Sequence, residues 1–180
     1  MTTGAWLLIA AGVLLVLLLT WTAFTLTRLR RLAGRVRRAR EVLDAALLRR
    51  AELSAALARE VAEELGHDLA EALGAAAAGA RAPSAGDREA AENLLGRLLR
   101  RVPADVLTPE LVDAGTRVAL ARRFSNDAVR DTRALRRRRL VRVLRLHARR
   151  PLPRYFDIDD GLDAVLAGPV PDAGARRSTG

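Results

Sequence analysis

From Ala5 to Leu26 the chain carries no charged side chain. That stretch limits everything else, because it decides which solvent one end of the molecule meets. As a helix rising about 1.5 Å per residue it spans roughly 33 Å, enough to cross a hydrocarbon core about 30 Å thick. Trp6 stands near one end and Trp21 and Phe24 near the other, where amphipathic rings favour the headgroup level. Arg28, Arg30 and Arg31 come at once after it, then Arg35, Arg37, Arg38 and Arg40, with no acid among them. An Arg excess behind the span predicts an amino terminus facing out and a cytoplasmic remainder. Residues 5–26 are therefore expected to be a single-pass anchor in the cell membrane. A cleaved leader would have a basic start, a shorter apolar run and a small-residue cleavage site. A buried core helix would show a polar face over this length.

The chain beyond the anchor is long enough for one domain and a tail. The net charge of +10 is concentrated in residues 28–40 and 132–150, while residues 41–131 hold more acids than Arg. A nucleic-acid binder is expected to be more evenly basic, and the second block has no aromatic residue to stack on a base, so nucleic acid is disfavoured as a partner. There is no Cys, hence no disulfide, no thiolate ligand and no cysteine nucleophile. His67 and His147 are the only histidines, too far apart in sequence to suggest a metal centre. Asp157, Asp159, Asp160 and Asp163 cluster without the glycine and closing glutamate of a calcium loop. No glycine-rich phosphate loop, nucleophile elbow or His-Glu-x-x-His helix is present. No catalytic residue, cofactor or metal is assigned.

The remainder patterns as helix. Val36, Leu43, Leu47, Leu53, Leu57, Val61, Leu65, Leu69 and Leu73 recur mostly at three, four or seven residues, predicting one long helix over 28–80 with Arg49, Arg50, Glu52 and Arg59 on its charged side. The run 82–87, Ala-Pro-Ser-Ala-Gly-Asp, is a breaker, and Asp87 or Ser84 can cap a short helix over 88–102 with Leu94, Leu95, Leu98 and Leu99 inward. Pro103 ends that helix. Thr108, Pro109 and Glu110 form a start signal for a third helix without a breaker until Pro151, with Leu111, Val118, Phe124, Val129 and Leu135 inside. The fold class expected is all-α: a transmembrane helix followed by an elongated antiparallel bundle over 28–150, then a foot near Tyr155 and Phe156 and a mostly disordered tail within 151–180.

Two stretches resemble a known family. Residues 121–131, Ala-Arg-Arg-Phe-Ser-Asn-Asp-Ala-Val-Arg-Asp, are similar to the late-helix signature of the LemA family. Residues 151–161, from Pro151 to Gly161, resemble its carboxyl-terminal ending. Ala91-Glu92-Asn93-Leu94-Leu95 and the Leu-Arg-Arg-Ala-Glu-Leu run at 48–53 fall in the family's order. Ser125 and Thr132 depart from it by replacing Tyr, and residues 136–150 stand where the family has a Phe-Pro turn and an apolar stretch. The resemblance implies a single-pass membrane protein with a cytoplasmic antiparallel bundle. It singles out Arg122, Arg123, Phe124, Asn126, Asp127, Arg130, Asp131, Tyr155 and Phe156, with Phe124 expected in the core and the polar members either bridging the bundle or lining a wet face.

Arg138, Arg142, Arg145 and Arg149 are spaced 4, 3 and 4 and would align on one side of a helix with Leu140, Val143 and Leu144 opposite, the pattern of a helix lying on anionic lipid. An ordinary solvated bundle face has the same pattern. The functional expectation is a non-enzymatic, membrane-tethered scaffold whose partners are the lipid bilayer, an unidentified protein or a second copy of the chain. The alternative is a subunit of an enzyme or sensor complex whose active site a partner completes.

Overall fold

The computed structural model describes residues 3–82, 87–137 and 151–159. Among them the secondary structure is all α-helix: α1 Thr3–Glu60, α2 Ala62–Leu65, α3 His67–Arg81, α4 Arg88–Leu99 and α5 Pro109–Arg136. α1 is long and apolar enough near its start to cross a membrane, and its apolar window buries nothing within the protein. Leu8 and Leu14 are 76% and 68% exposed, and Trp6 and Phe24 are likewise exposed; the cost of leaving such residues in water is about 1.5–3 kcal/mol each. The chain divides into two compact units, residues 1–40 with 124–155 and residues 41–123 with 156–180.

In the second unit, the seam of α1 runs through Leu43, Leu47, Arg50, Ser54 and Leu57, all buried, at intervals of 4, 3, 4 and 3. Ala51, Ala55 and Ala58 sit beside it and meet Leu73, Ala76, Ala77 and Ala80 of α3, Leu95, Leu98 and Leu99 of α4, and Leu111 of α5. Small residues on α1 and α3 let the two backbones approach: a Cβ on Gly74 would lie 3.9 Å from that of Ala58. That contact overturns the single helix expected over 28–80, in which residues 58 and 74 would stand roughly 24 Å apart. The chain instead reverses between Val61 and Gly66, where Gly66 takes φ +79°, a conformation that costs residues with a Cβ. The reversal retains one helical turn, α2, so the hydrophobic spacing continues through it.

The start signals of the next two helices are built as chemistry requires. The Ala90 N–H donates to the Asp87 carboxylate at 3.3 Å, and the Leu111 N–H to the Thr108 hydroxyl at 3.3 Å, each satisfying a donor that the first turn leaves open. Farther along the same unit, Leu43 and Leu47 pack with Val118, Ala121 and Ile158. Residues rising in number on α1 thus meet residues falling on α5, an antiparallel pair.

In the first unit Val36 packs with Ala128 and Val129, and Ala39 covers them. The third helix ends sooner than expected. Arg136 Nη1 donates to the Pro151 carbonyl at 2.8 Å, whereas an unbroken helix would separate those residues by roughly 22 Å. Phe124 also departs from expectation: it is 57% exposed, whereas Leu135, expected inside with it, is buried. The centre of the buried side of α5 runs through Leu111, Val118, Ser125, Val129 and Thr132, and Phe124 lies roughly 100° round the helix from that line.

Candidate functional site

Two local constructions stand out, one in each unit. In the second unit Arg50 of α1 and Glu92 of α4 form an ion pair at 2.8 Å, with side chains 1% and 0% exposed. Both lie at core spacing: Arg50 is seven residues from Leu43 and from Leu57, and Glu92 is three and seven from Leu95 and Leu99. The expectation that Arg50 belongs to the charged side of its helix is therefore corrected. Burial pushes the Glu92 carboxyl above its ordinary range, and the Arg50 hydrogen bond and charge, with Arg88 behind them, pull it back only in part. Arg50 Nε and Glu92 Oε1 have no hydrogen-bond partner among the described residues, so the pair is costly to hold and more costly to break. Ser54 donates to the Arg50 carbonyl at 2.8 Å, and Arg88 reaches Asp44 at 3.1 Å near the surface.

Residues 156–159 lie along α4 on either side of Glu92. Ile158 is buried and Phe156 packs alongside it. The Asp157 N–H donates to the Glu89 carboxylate at 3.2 Å and the Asp159 N–H to the Asn93 side-chain oxygen at 2.7 Å. Arg100 holds the Asp159 carboxylate at 3.1 Å. A Cβ on Gly96 would come within 3.2 Å of the Asp159 carbonyl, so the absence of a side chain there lets the segment lie close to α4.

The first unit contains a groove of about 450 Å³ between α1, α5 and the segment 151–154. Its floor is Ala33 and Val36 of α1 and Thr132 of α5, and Arg40, Arg136 and Arg154 stand around it. Arg40 Nη2 donates to the Arg154 carbonyl at 3.1 Å, and Arg133 Nε to the Pro153 carbonyl at 2.9 Å. The Arg133 guanidinium lies 4.7 Å from the centre of the Tyr155 ring, within the range of cation–π attraction.

The residues singled out from sequence fall in several places. Asp127 pairs with Arg130 one turn along α5, and Asp131 pairs with Arg35 of α1 at 3.2 Å, both at the surface. Asn126 and Arg122 are partly buried, and Arg123 is exposed. Tyr155 belongs with Arg133, and Phe156 with Ile158. In the apolar stretch of α1 and just beyond it, Phe24, Arg28, Arg30 and Arg31 are exposed and Trp21 is half-buried. Arg138, Arg142, Arg145 and Arg149 lie outside the described residues. Sequence reading missed Arg50, Glu92 and the groove. The first two carried a signal, an ionisable residue at core spacing on each of two helices; the groove depends on where residues 151–154 return, which no spacing encodes. No family model, curated protein or solved structure matches the chain.

Proposed function

We propose that this chain is a membrane-tethered helical scaffold of the LemA type, non-enzymatic, with its amino terminus outside the cell membrane and its helical remainder in the cytoplasm. The observation that carries the reading is the continuity of α1, which runs without a break from an uncovered apolar stretch into the buried seam that ends near Leu57. A helix of this kind puts one end in lipid and offers the other as a platform for a protein partner or a second copy. The Arg excess from Arg28 onward supports the orientation. Arg138, Arg142, Arg145 and Arg149 are assigned to anionic lipid. The buried ion pair supports a structural role for Arg50 and Glu92, since neither is open to a substrate.

Topology tests this directly. A reporter active only in the cytoplasm, fused at the carboxyl terminus, should be active, and protease added to sealed cells should leave residues 28–180 intact. Recovery of the full chain in the soluble fraction, or digestion of the helical part from outside, overturns the reading. For the Arg row, replacing the four residues by Gln should weaken binding of a chain lacking residues 1–27 to anionic vesicles about tenfold or more, with neutral vesicles binding neither form. Equal vesicle binding by both forms removes that assignment and leaves the scaffold reading in place.

A further inference from the structure

The groove in the first unit has the chemistry of a ligand site. We propose that it binds the phosphate-bearing headgroup of an anionic phospholipid, one molecule per chain. Its volume, about 450 Å³, falls among small-molecule sites and suits a headgroup with its glycerol better than a whole lipid. Three guanidinium-bearing residues, Arg40, Arg136 and Arg154, line it, and none of the described lining residues is acidic. The planar guanidinium fork matches phosphate oxygens two at a time. The bond from Arg40 to the Arg154 carbonyl orients one of these groups without cancelling its charge, because a carbonyl is neutral. Ala33, Val36, Leu152 and the prolines at 151 and 153 supply an apolar wall for glycerol carbons and the first methylenes.

Position selects the lipid source. Ala33 lies seven residues beyond Leu26, about 10 Å along the helix, and headgroups occupy about 5–8 Å beyond each edge of the hydrocarbon core. α1 thus brings the groove to the aqueous side of the headgroup layer. This step rests on the anchored reading. The chemistry of the groove does not, so the two can fail separately.

The test uses the full chain in nonionic detergent, titrated with dioctanoyl phosphatidylglycerol, dioctanoyl phosphatidylcholine or glycerol 3-phosphate and read by native mass spectrometry. Phosphatidylglycerol should saturate at one molecule per chain, at a concentration at least about tenfold below phosphatidylcholine. Thr132→Trp fills the groove without changing charge and should weaken that binding about tenfold or more. Arg40→Gln with Arg154→Gln alters two exposed side chains, so it decides the matter if the Trp variant loses its helical circular dichroism. Equal uptake of the two lipids overturns the proposal, as does undiminished binding by folded variants. Glycerol 3-phosphate binding as tightly as phosphatidylglycerol overturns the lipid source. If the chain is found in the soluble fraction of cells, the anchored reading fails while this titration still reports on the groove.

Discussion

Arg50 and Glu92 are each surrounded by core, so the value of either depends on the other. Arg50→Met alone should destabilise the protein by about 3–5 kcal/mol, because it leaves a carboxylate buried without its cation. Arg50→Met combined with Glu92→Leu should recover most of that loss, since apolar side chains of similar volume replace a pair that is expensive to desolvate. Thermal melts of the four proteins in one detergent close the cycle. The raised Glu92 carboxyl adds a pH dependence of known sign. A carboxyl whose folded pKa lies above the ordinary 4.5 stabilises the fold fully below that value and loses the contribution as pH rises through the folded pKa. Glu92→Gln mimics the protonated form, so its stability relative to the unaltered protein should improve between pH 4 and pH 7; melts showing the opposite trend would mean that Arg50 outweighs burial. Both residues stood at apolar spacing in the sequence, and their charge argued for the surface. What the spacing could not convey is that two such misfits on different helices face each other. Phe124 is the converse case, a large apolar side chain that composition assigns to the core and helical geometry places outside.

Most of the helices could be read from the sequence, because caps and breakers are local. Asp87 and Thr108 act within three residues of the donors they satisfy, and Pro103 needs no partner to end a helix. The reversal after α1 was not readable by the same means. α2 keeps helical spacing through the turn, and Gly66 resembles Gly74 and Gly79 until its φ is known. Those glycines give a test with opposite signs. Gly66→Ala forces a Cβ into φ +79° with ψ 147° and should cost roughly 1–3 kcal/mol. Gly79→Ala lies within α3 where an added Cβ meets nothing within 4 Å, and should gain up to about 1 kcal/mol from helix propensity. Chemical or thermal unfolding of the two variants under one condition separates them, and destabilisation by both would contradict the helical assignment of Gly79.

At the level of the whole chain, the long apolar stretch of α1 and the buried apolar clusters draw on different residues. None of the buried apolar clusters among the described residues contains a residue before Val36. Removing residues 1–27 should therefore leave the protein held on anionic lipid only by salt-sensitive contacts, released by a high-salt wash, with its melting temperature within a few degrees. Sedimentation and circular dichroism check the two halves of that statement. The segment 151–159 contributes to both units, and its main chain is held at five points besides its side-chain contacts: the carbonyls of Pro151, Pro153 and Arg154 accept, and the N–H groups of Asp157 and Asp159 donate. Side chains that a neighbour does not read are free to change by neutral drift, whereas a lost peptide N–H is not replaced by any of the standard side chains. Asp157→Ala should thus be nearly silent in a melt and Asp157→Pro should cost about 1 kcal/mol or more. Over generations the path of this segment would be kept while a letter such as that at 157 turned over.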